Sequence, residues 1–328
     1  MLRDRAAVGV SRRDMLKTVG VAVAAMSMRP SSAATTEKKT GKPGEKARKD
    51  IKLAIFTGIY SDLPLEDAAR RIKEDGFGGV VLQYDFQDTR FDPSAPDWQV
   101  LKKITACFER HEIRIAGLFG YHNVVDPDLA RGKRGNEQMA LLIKHWKRFG
   151  SPIIATETGT YNAESPFAES PENNTEKAYV ACRSAFEKLA KAAEKTGAII
   201  AIEPYWRNII DSAERAERLF REIKSPALKL VMDPCNYFRK EDLARMKPII
   251  EDIFKRVGSE TVIAHAKDVK ASEHGGEFPG AGLGVLDYPL YLSLLAGLNK
   301  ELYLVIEHVK MPDAARARDY VKGQMEKI

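Results

Sequence analysis

Short, almost uninterrupted apolar runs recur along the chain from Ile51 onward, and each is followed by a longer stretch whose apolar positions fall three and four residues apart. The runs are Lys52–Thr57, Gly79–Gln83, Arg114–Phe119, Pro152–Thr156, Ala198–Glu203, Leu228–Asp233, Thr261–Ala266 and Leu302–Glu307. Pro64–Asp75, Asp97–His111, Asn136–Phe149, Thr175–Thr196, Ser212–Ile223, Glu241–Arg256, Tyr288–Leu298 and Pro312–Glu326 read as amphipathic helices. Alternation of this kind predicts a parallel sheet whose strands are covered on both faces. Eight such units in about 280 residues predict a closed (β/α)8 TIM barrel, an α/β single domain. The other arrangement considered, an open doubly wound sheet, usually carries a Gly-rich turn after its first strand, and Phe56-Thr57-Gly58-Ile59-Tyr60 is not one.

Helix-end signals agree with this division. Glu66 and Asp67 fall in the first turn of the first helix with Gly76 behind its end, and Gly150 and Gly197 stop two helices just before strands four and five. The loops longer than a minimal barrel needs are Tyr84–Pro96, Tyr121–Gly135, Gly159–Asn174 and Ala271–Leu286. All four follow strands, which places them on the face where barrels carry their chemistry. Those after strands two and four, with Phe86, Phe91, Trp98, Tyr161 and Phe167, are expected to cap a site or to meet a partner subunit in a homo-oligomer.

The net charge of +6 changes this picture only at one end. Residues 1–50 hold 12 Lys/Arg against 5 Asp/Glu, leaving 40 against 41 in residues 51–328. The barrel region is therefore nearly neutral and offers no electrostatic footprint for nucleic acid. Ser11-Arg12-Arg13-Asp14-Met15-Leu16-Lys17 followed by the apolar Thr18–Met28 and the small residues Ser31–Ala34 reads as an export signal that resembles the twin-arginine type. The expected organisation is a signal peptide over residues 1–34, a disordered charged linker over 35–50 and the barrel over 51–328, with a periplasmic destination. The apolar run is too short for a stop-transfer helix, so no stable membrane insertion is expected. Cys107, Cys182 and Cys235 are too few for a disulfide framework and read as core thiols.

Four successive strands, the fifth to the eighth, close on ligand-type side chains: Glu203, Asp233, His265 and Glu307. At neighbouring strand ends of a barrel these can share one ion. Three carboxylates and an imidazole suit Mn²⁺, Mg²⁺ or Co²⁺ better than a thiolate-rich zinc site would, although Zn²⁺ also accepts such ligands. Each carboxylate taken alone is more often a helix cap or a loop ion pair. Four in a row beside apolar runs need a common partner, and an ion supplies it. Further candidates contact substrate: Glu157 ending strand four, which is also placed to reach a metal, His122 after strand three, Arg207 four beyond Glu203, Trp206 as an apolar floor for a ring, Asn236 after strand six, and Lys267, inward with His265 by strand alternation. Asp268 is expected to support this set from behind. His308 would point away if its strand continued, and His111 and His145 sit in helical patterns as surface or packing residues.

Ile202-Glu203-Pro204, Met232-Asp233-Pro234-Cys235-Asn236, His265-Ala266-Lys267-Asp268, the Pro279–Tyr288 segment with its Gly-x-Gly-x-apolar-apolar-Asp-aromatic pattern, and Ile306-Glu307 together resemble the xylose isomerase-like superfamily of sugar phosphate isomerases and epimerases. The resemblance runs over most of residues 51–328. It implies a TIM barrel with one divalent ion on Glu203, Asp233, His265 and Glu307, and in the keto-sugar epimerase branch an acid/base role for Glu203 and Glu307. Proton transfer beside a sugar carbonyl passes through an enediolate that a metal can stabilise. A carboxylate on each face then takes and returns the proton. The same equipment serves β-elimination from a 3-keto-glycoside, which is the alternative activity. Where the epimerase branch tends to carry His three residues after the metal-binding Asp, this chain has Asn236, which points away from a free ketohexose. The related apurinic-site endonucleases resemble a histidine-rich three-zinc cluster, for which this chain has too few suitably placed histidines. A non-catalytic carbohydrate-binding barrel would not need both glutamates.

Overall fold

The computed structural model describes residues 50–272 and 275–328. The expected export signal and all but the last residue of the linker lie outside the described residues. Strands β1 (Ile51–Phe56), β2 (Gly79–Leu82), β3 (Arg114–Phe119), β4 (Ile153–Glu157), β5 (Ile199–Glu203), β6 (Leu228–Met232) and β7 (Thr261–Ala266) are followed by a short hairpin, β8 (Lys270–Ser272) and β9 (Gly275–Glu277), and then by β10 (Leu302–Ile306). All but the hairpin strands form one closed parallel barrel, in which β10 pairs with both β7 and β1. The helices that alternate with them are α1 (Leu65–Glu74), α2 (Trp98–Arg110), α3 (Leu129–Phe149), α4 (Glu176–Thr196), α5 (Ala213–Ile223), α6 (Met246–Val257), α7 (Tyr288–Gly297) and α8 (Ala314–Met325). The eight strand-helix units expected from the apolar pattern are all present, in one barrel.

Two packed layers explain the continuous apolar runs. Inside the barrel, each strand contributes one residue to a buried cluster: Ala54, Val81, Ala116, Ala155, Ala201, Val231, Ile263 and Val305. Alternate residues such as Ile55, Ile154, Ile200, Ile202, Leu230 and Leu304 face outward into the larger cluster shared with the helices. Burial on both faces is what removes the polar alternation of a half-exposed strand. Half of the inner layer is Ala, and Gly79 leaves its place to the Tyr303 ring, so large and small side chains fill the interior between them.

Side-chain caps start the helices where the chain leaves the strand ends. Asp97 accepts from Gln99 N at 2.8 Å, Asp128 from Ala130 N at 2.9 Å, and Thr175 from Ala178 N at 3.1 Å. Gly150 and Gly197 close α3 and α4 with φ of 92° and 78°, a conformation that costs a glycine nothing. Three details differ from expectation, the first being α6, which starts at Met246 after a 3₁₀ stretch over Lys240–Arg245 rather than at Glu241. Helix α3 begins at Leu129, seven residues earlier than its apolar pattern predicts, because Asp128 caps it and Gly132 and Gly135 sit inside the first turns. The loop over residues 271–286 contains the β8–β9 hairpin, which its Gly content concealed. The three cysteines are free and buried, and no described helix is long and apolar enough to cross a membrane.

Candidate metal centre

The inner layer determines which strand-end residues converge. Two positions beyond Ala201, Val231, Ile263 and Val305, strand alternation returns the chain to the same inward side, at Glu203, Asp233, His265 and Glu307. One ligand atom from each of the four lies within 4.8 Å of the others. His265 Nδ1 is the hub: it stands 3.2 Å from Glu203 Oε1, 3.7 Å from Asp233 Oδ2 and 3.5 Å from Glu307 Oε2. Donors held about 2.0–2.2 Å from one ion stand about 3 Å or slightly more apart. These spacings, and the oxygen-rich donors, fit a divalent cation.

The surrounding contacts hold this set in place. Asp233 caps the turn that follows β6, accepting from Cys235 N at 3.0 Å through Oδ1, while Oδ2 faces His265. A helix-type cap and a candidate ligand position therefore coexist in one carboxylate. Glu203 Oε1 accepts from Asn236 Nδ2 at 2.7 Å, and its Oε2 accepts from the Tyr121 hydroxyl. Lys267 Nζ lies 2.6 Å from both Asp233 Oδ2 and Glu307 Oε1. The end of β7 is fixed from outside, where Tyr291 donates to the His265 carbonyl at 2.9 Å and Tyr288 to the Lys267 carbonyl at 2.7 Å. Asp268 points into the following loop and accepts from Val269 N, Gly282 N and Leu286 N at 2.9, 3.0 and 2.9 Å. Gly284 packs so closely on the Asp268 carboxylate that a Cβ there would collide with it.

Electrostatics follow from burying so many charges together. Burial raises the pKa of Glu203, but His265 and Lys267 outweigh it and hold the carboxyl below its ordinary value. Asp233 behaves the same way, with Lys267 the strongest opposing partner. Burial works against the charge on His265 and on Lys267, yet the facing carboxylates push both well above their usual values. Glu157 has no such cation in contact: burial, then the Glu203 charge, pushes it up to about 8. One of its carboxyl oxygens, Oε2, is buried without a hydrogen-bond partner.

The cluster opens on a cavity of about 430 Å³ lined by Phe56, Phe119, Tyr121, Tyr205 and Phe278 together with Glu157, Glu203, Asn236, Lys267 and Glu307. Three residues named from the sequence lie elsewhere. The His122 ring turns away from the cavity, with Nδ1 3.1 Å from the Gly120 carbonyl and Nε2 3.3 Å from Asn136, because alternation after β3 sends Tyr121 inward instead. Trp206 and Arg207 line a separate cavity of about 270 Å³, where the Arg207 guanidinium stacks 4.6 Å over the Trp206 ring. Tyr205, one residue earlier, takes the wall position instead. His308 departs in the opposite sense. Its φ of 55° ends the strand and brings it to the cavity rim, where Nδ1 stands 2.8 Å from the Phe278 carbonyl. Tyr121, Tyr205 and the two tyrosines behind β7 were missed. Tyr121 follows Phe119 inward because β3 carries an extra residue at Ala116, where its register with β2 shifts; strict alternation from Ala116 would turn His122 inward instead.

Residues 69–325 match the model of the xylose isomerase-like TIM barrel family. No curated protein sequence matches the chain. Similar solved structures include a xylose isomerase-like TIM barrel protein from Mycobacterium smegmatis in complex with magnesium, with a TM-score of 0.63 at 14% identity over 84% of this chain and 97% of the other. An L-ribulose 3-epimerase aligns with a TM-score of 0.64 at 16% identity, over 84% of this chain and 95% of its own. The 3-keto-D-glucoside 4-epimerase of E. coli, in its apo form, aligns with a TM-score of 0.57 at 15% identity, covering 84% and 99% of the two chains. At these identities the structures speak for the fold. With the family model spanning most of the barrel, the chain belongs to the xylose isomerase-like TIM barrel family.

Proposed function

We propose that the protein is a divalent-metal-dependent isomerase or epimerase of a sugar or keto-sugar, with Glu203 and Glu307 as its acid/base pair. One observation carries this: the two carboxylates approach His265 Nδ1 from strands on its two sides, and both line the same cavity. Two carboxylates in that relation suit removal of a proton from one face of a carbon beside a carbonyl and delivery to the other. An ion on Glu203, Asp233, His265 and Glu307 would supply Lewis-acid neutralisation of the charge that develops on the carbonyl oxygen. Mg²⁺, Mn²⁺ and Co²⁺ suit the oxygen-rich set best, with Zn²⁺ also compatible. The magnesium bound by the Mycobacterium protein and the epimerase activities of the other two neighbours support the proposal.

The chain's own residues divide the remaining work. Tyr121 and Asn236 hold Glu203 in place, while His265 and Lys267 keep it ionised, ready to accept a proton. Lys267 holds Glu307 in place through its Oε1. Glu157, neutral at pH 7, is a hydrogen-bond donor for a substrate hydroxyl or carbonyl. The aromatic wall of Phe56, Phe119, Tyr205 and Phe278 takes the apolar face of a sugar ring and keeps water from the reacting carbon.

Elimination of a group β to a ketone would use the same carboxylates. Product analysis with free sugars, keto-sugars and 3-keto-glycosides in the presence of Mg²⁺, Mn²⁺ or Co²⁺ separates the two. Isomers or epimers formed without loss of an aglycone support the proposed activity. Stoichiometric aglycone release would replace it with a lyase.

A further inference from the structure

We propose that Glu66, Cys107 and His111 form a second, thiolate-containing metal site between α1 and α2 that takes a borderline divalent cation such as Zn²⁺. A carboxylate oxygen, a thiol sulfur and a ring nitrogen from these residues lie within 4.8 Å of one another. Cys107 and His111 are four residues apart at the end of α2, so their side chains share one face. Glu66 enters from the first turn of α1, with Oε1 2.7 Å from His111 Nε2 and Oε2 3.3 Å from Cys107 Sγ. Ligands held about 2.0–2.3 Å from a tetrahedral ion stand roughly 3.3–3.8 Å apart, so small side-chain adjustments bring the three into place. One soft and two harder donors make a zinc-type set, unlike the all oxygen and nitrogen centre at the barrel mouth.

Burial gives the site a rigid side and an open one. Cys107 is enclosed and the His111 side chain is 21% exposed, whereas Glu66 is 60% exposed and leaves room for ion entry and a solvent ligand. Two contacts compete. Arg110 Nη2 lies 2.8 Å from Glu66 Oε2, and Cys107 Sγ lies 3.8 Å from the Leu65 carbonyl. The first is an exposed ion pair of small worth, and the second is a weak hydrogen bond from a thiol. Binding breaks the Cys107 S–H bond, forms the sulfur–metal bond and releases the proton to solvent.

Cobalt makes the test direct, because sulfur-to-cobalt charge transfer absorbs in the near ultraviolet and the proposed ligands of the barrel centre contain no sulfur. Titration of the chain with Co²⁺ should produce that band, with Zn²⁺ displacing it. Cys107→Ser should abolish the band. His111→Ala, which alters a partly exposed side chain and should leave the fold intact by circular dichroism, should weaken the cobalt affinity at least tenfold. A chain that shows no band at saturating Co²⁺, a band that survives Cys107→Ser, or one with unchanged affinity in His111→Ala would each overturn the proposal.

Discussion

The Lys267 ammonium lies 2.6 Å from Glu307 Oε1, and the same nitrogen lies 2.6 Å from Asp233 Oδ2. A buried cation therefore bridges two of the four side chains that would hold an ion. Removing one partner of a buried ion pair leaves uncompensated charge, typically at a cost of about 3 kcal/mol or more. Lys267→Met should destabilise the protein by that order in the presence of a chelator, and added Mn²⁺ should reduce the difference by compensating Asp233 and Glu307. Thermal unfolding of both forms with EDTA and with Mn²⁺ measures this. Equal destabilisation in the two conditions would show that the lysine and the ion site are unrelated.

Glu157 gives a pH signature with a definite sign. Burial, then the Glu203 charge, raises its pKa from 4.5 to about 8, so the folded protein binds a proton that the unfolded chain has released. The associated stability is fully present below about pH 4.5 and is lost as pH rises through about 8. In chelator, Glu157→Gln should unfold near the wild-type temperature at pH 5 and above it at pH 9. A constant difference across that range would mean that Glu157 does not change its proton on folding.

Tyr121 donates its hydroxyl to Glu203 Oε2, which places it to act on the proposed reaction through that carboxylate. A hydrogen bond to a charged group is worth about 1.5–3 kcal/mol, so Tyr121→Phe should lower kcat by roughly ten- to a hundredfold. Metal stoichiometry, measured by calorimetric titration, should not change. Loss of the metal along with activity would make Tyr121 a support of the ion site alone.

The amino-terminal arginines make a separate prediction. Replacing Arg12 and Arg13 with Lys should leave the protein in the cytoplasmic fraction of a host with a twin-arginine pathway, whereas the unaltered chain should appear in the periplasm. Equal distribution of the two forms after fractionation would remove the export assignment.

Residues whose position follows from strand parity were legible in the sequence. Ala201 and Glu203, or Ile263 and His265, are two apart in runs apolar enough to require burial on both faces, so the convergence of four strand ends could be anticipated. Parity did not separate Tyr121 from His122, because the register shift of β3 against β2 at Ala116 reverses the alternation. What else escaped depends on the path of the chain after the strand. Whether Tyr205 or Trp206 faces the cavity is decided by the turn after β5, held by the Tyr205 N to Ile210 O and Trp206 N to Asn236 O hydrogen bonds at 3.1 and 2.9 Å. His308 reaches the rim because its φ is 55°, a conformation that neither composition nor periodicity announces. Helix α3 starts early because an Asp cap outweighs two glycines whose propensity argues against a helix.

The central claim is that Glu203 and Glu307 move a proton at a carbon beside a carbonyl. Its most direct measurement is incorporation of solvent deuterium into substrate, followed by proton NMR in D₂O after the metal is chelated away. The wild-type protein with Mn²⁺ should exchange one carbon-bound hydrogen of a sugar or keto-sugar that it converts. Glu203→Gln and Glu307→Gln should each lose that exchange while remaining folded. Conversion without deuterium incorporation, or exchange that persists undiminished in both variants, would contradict the assignment.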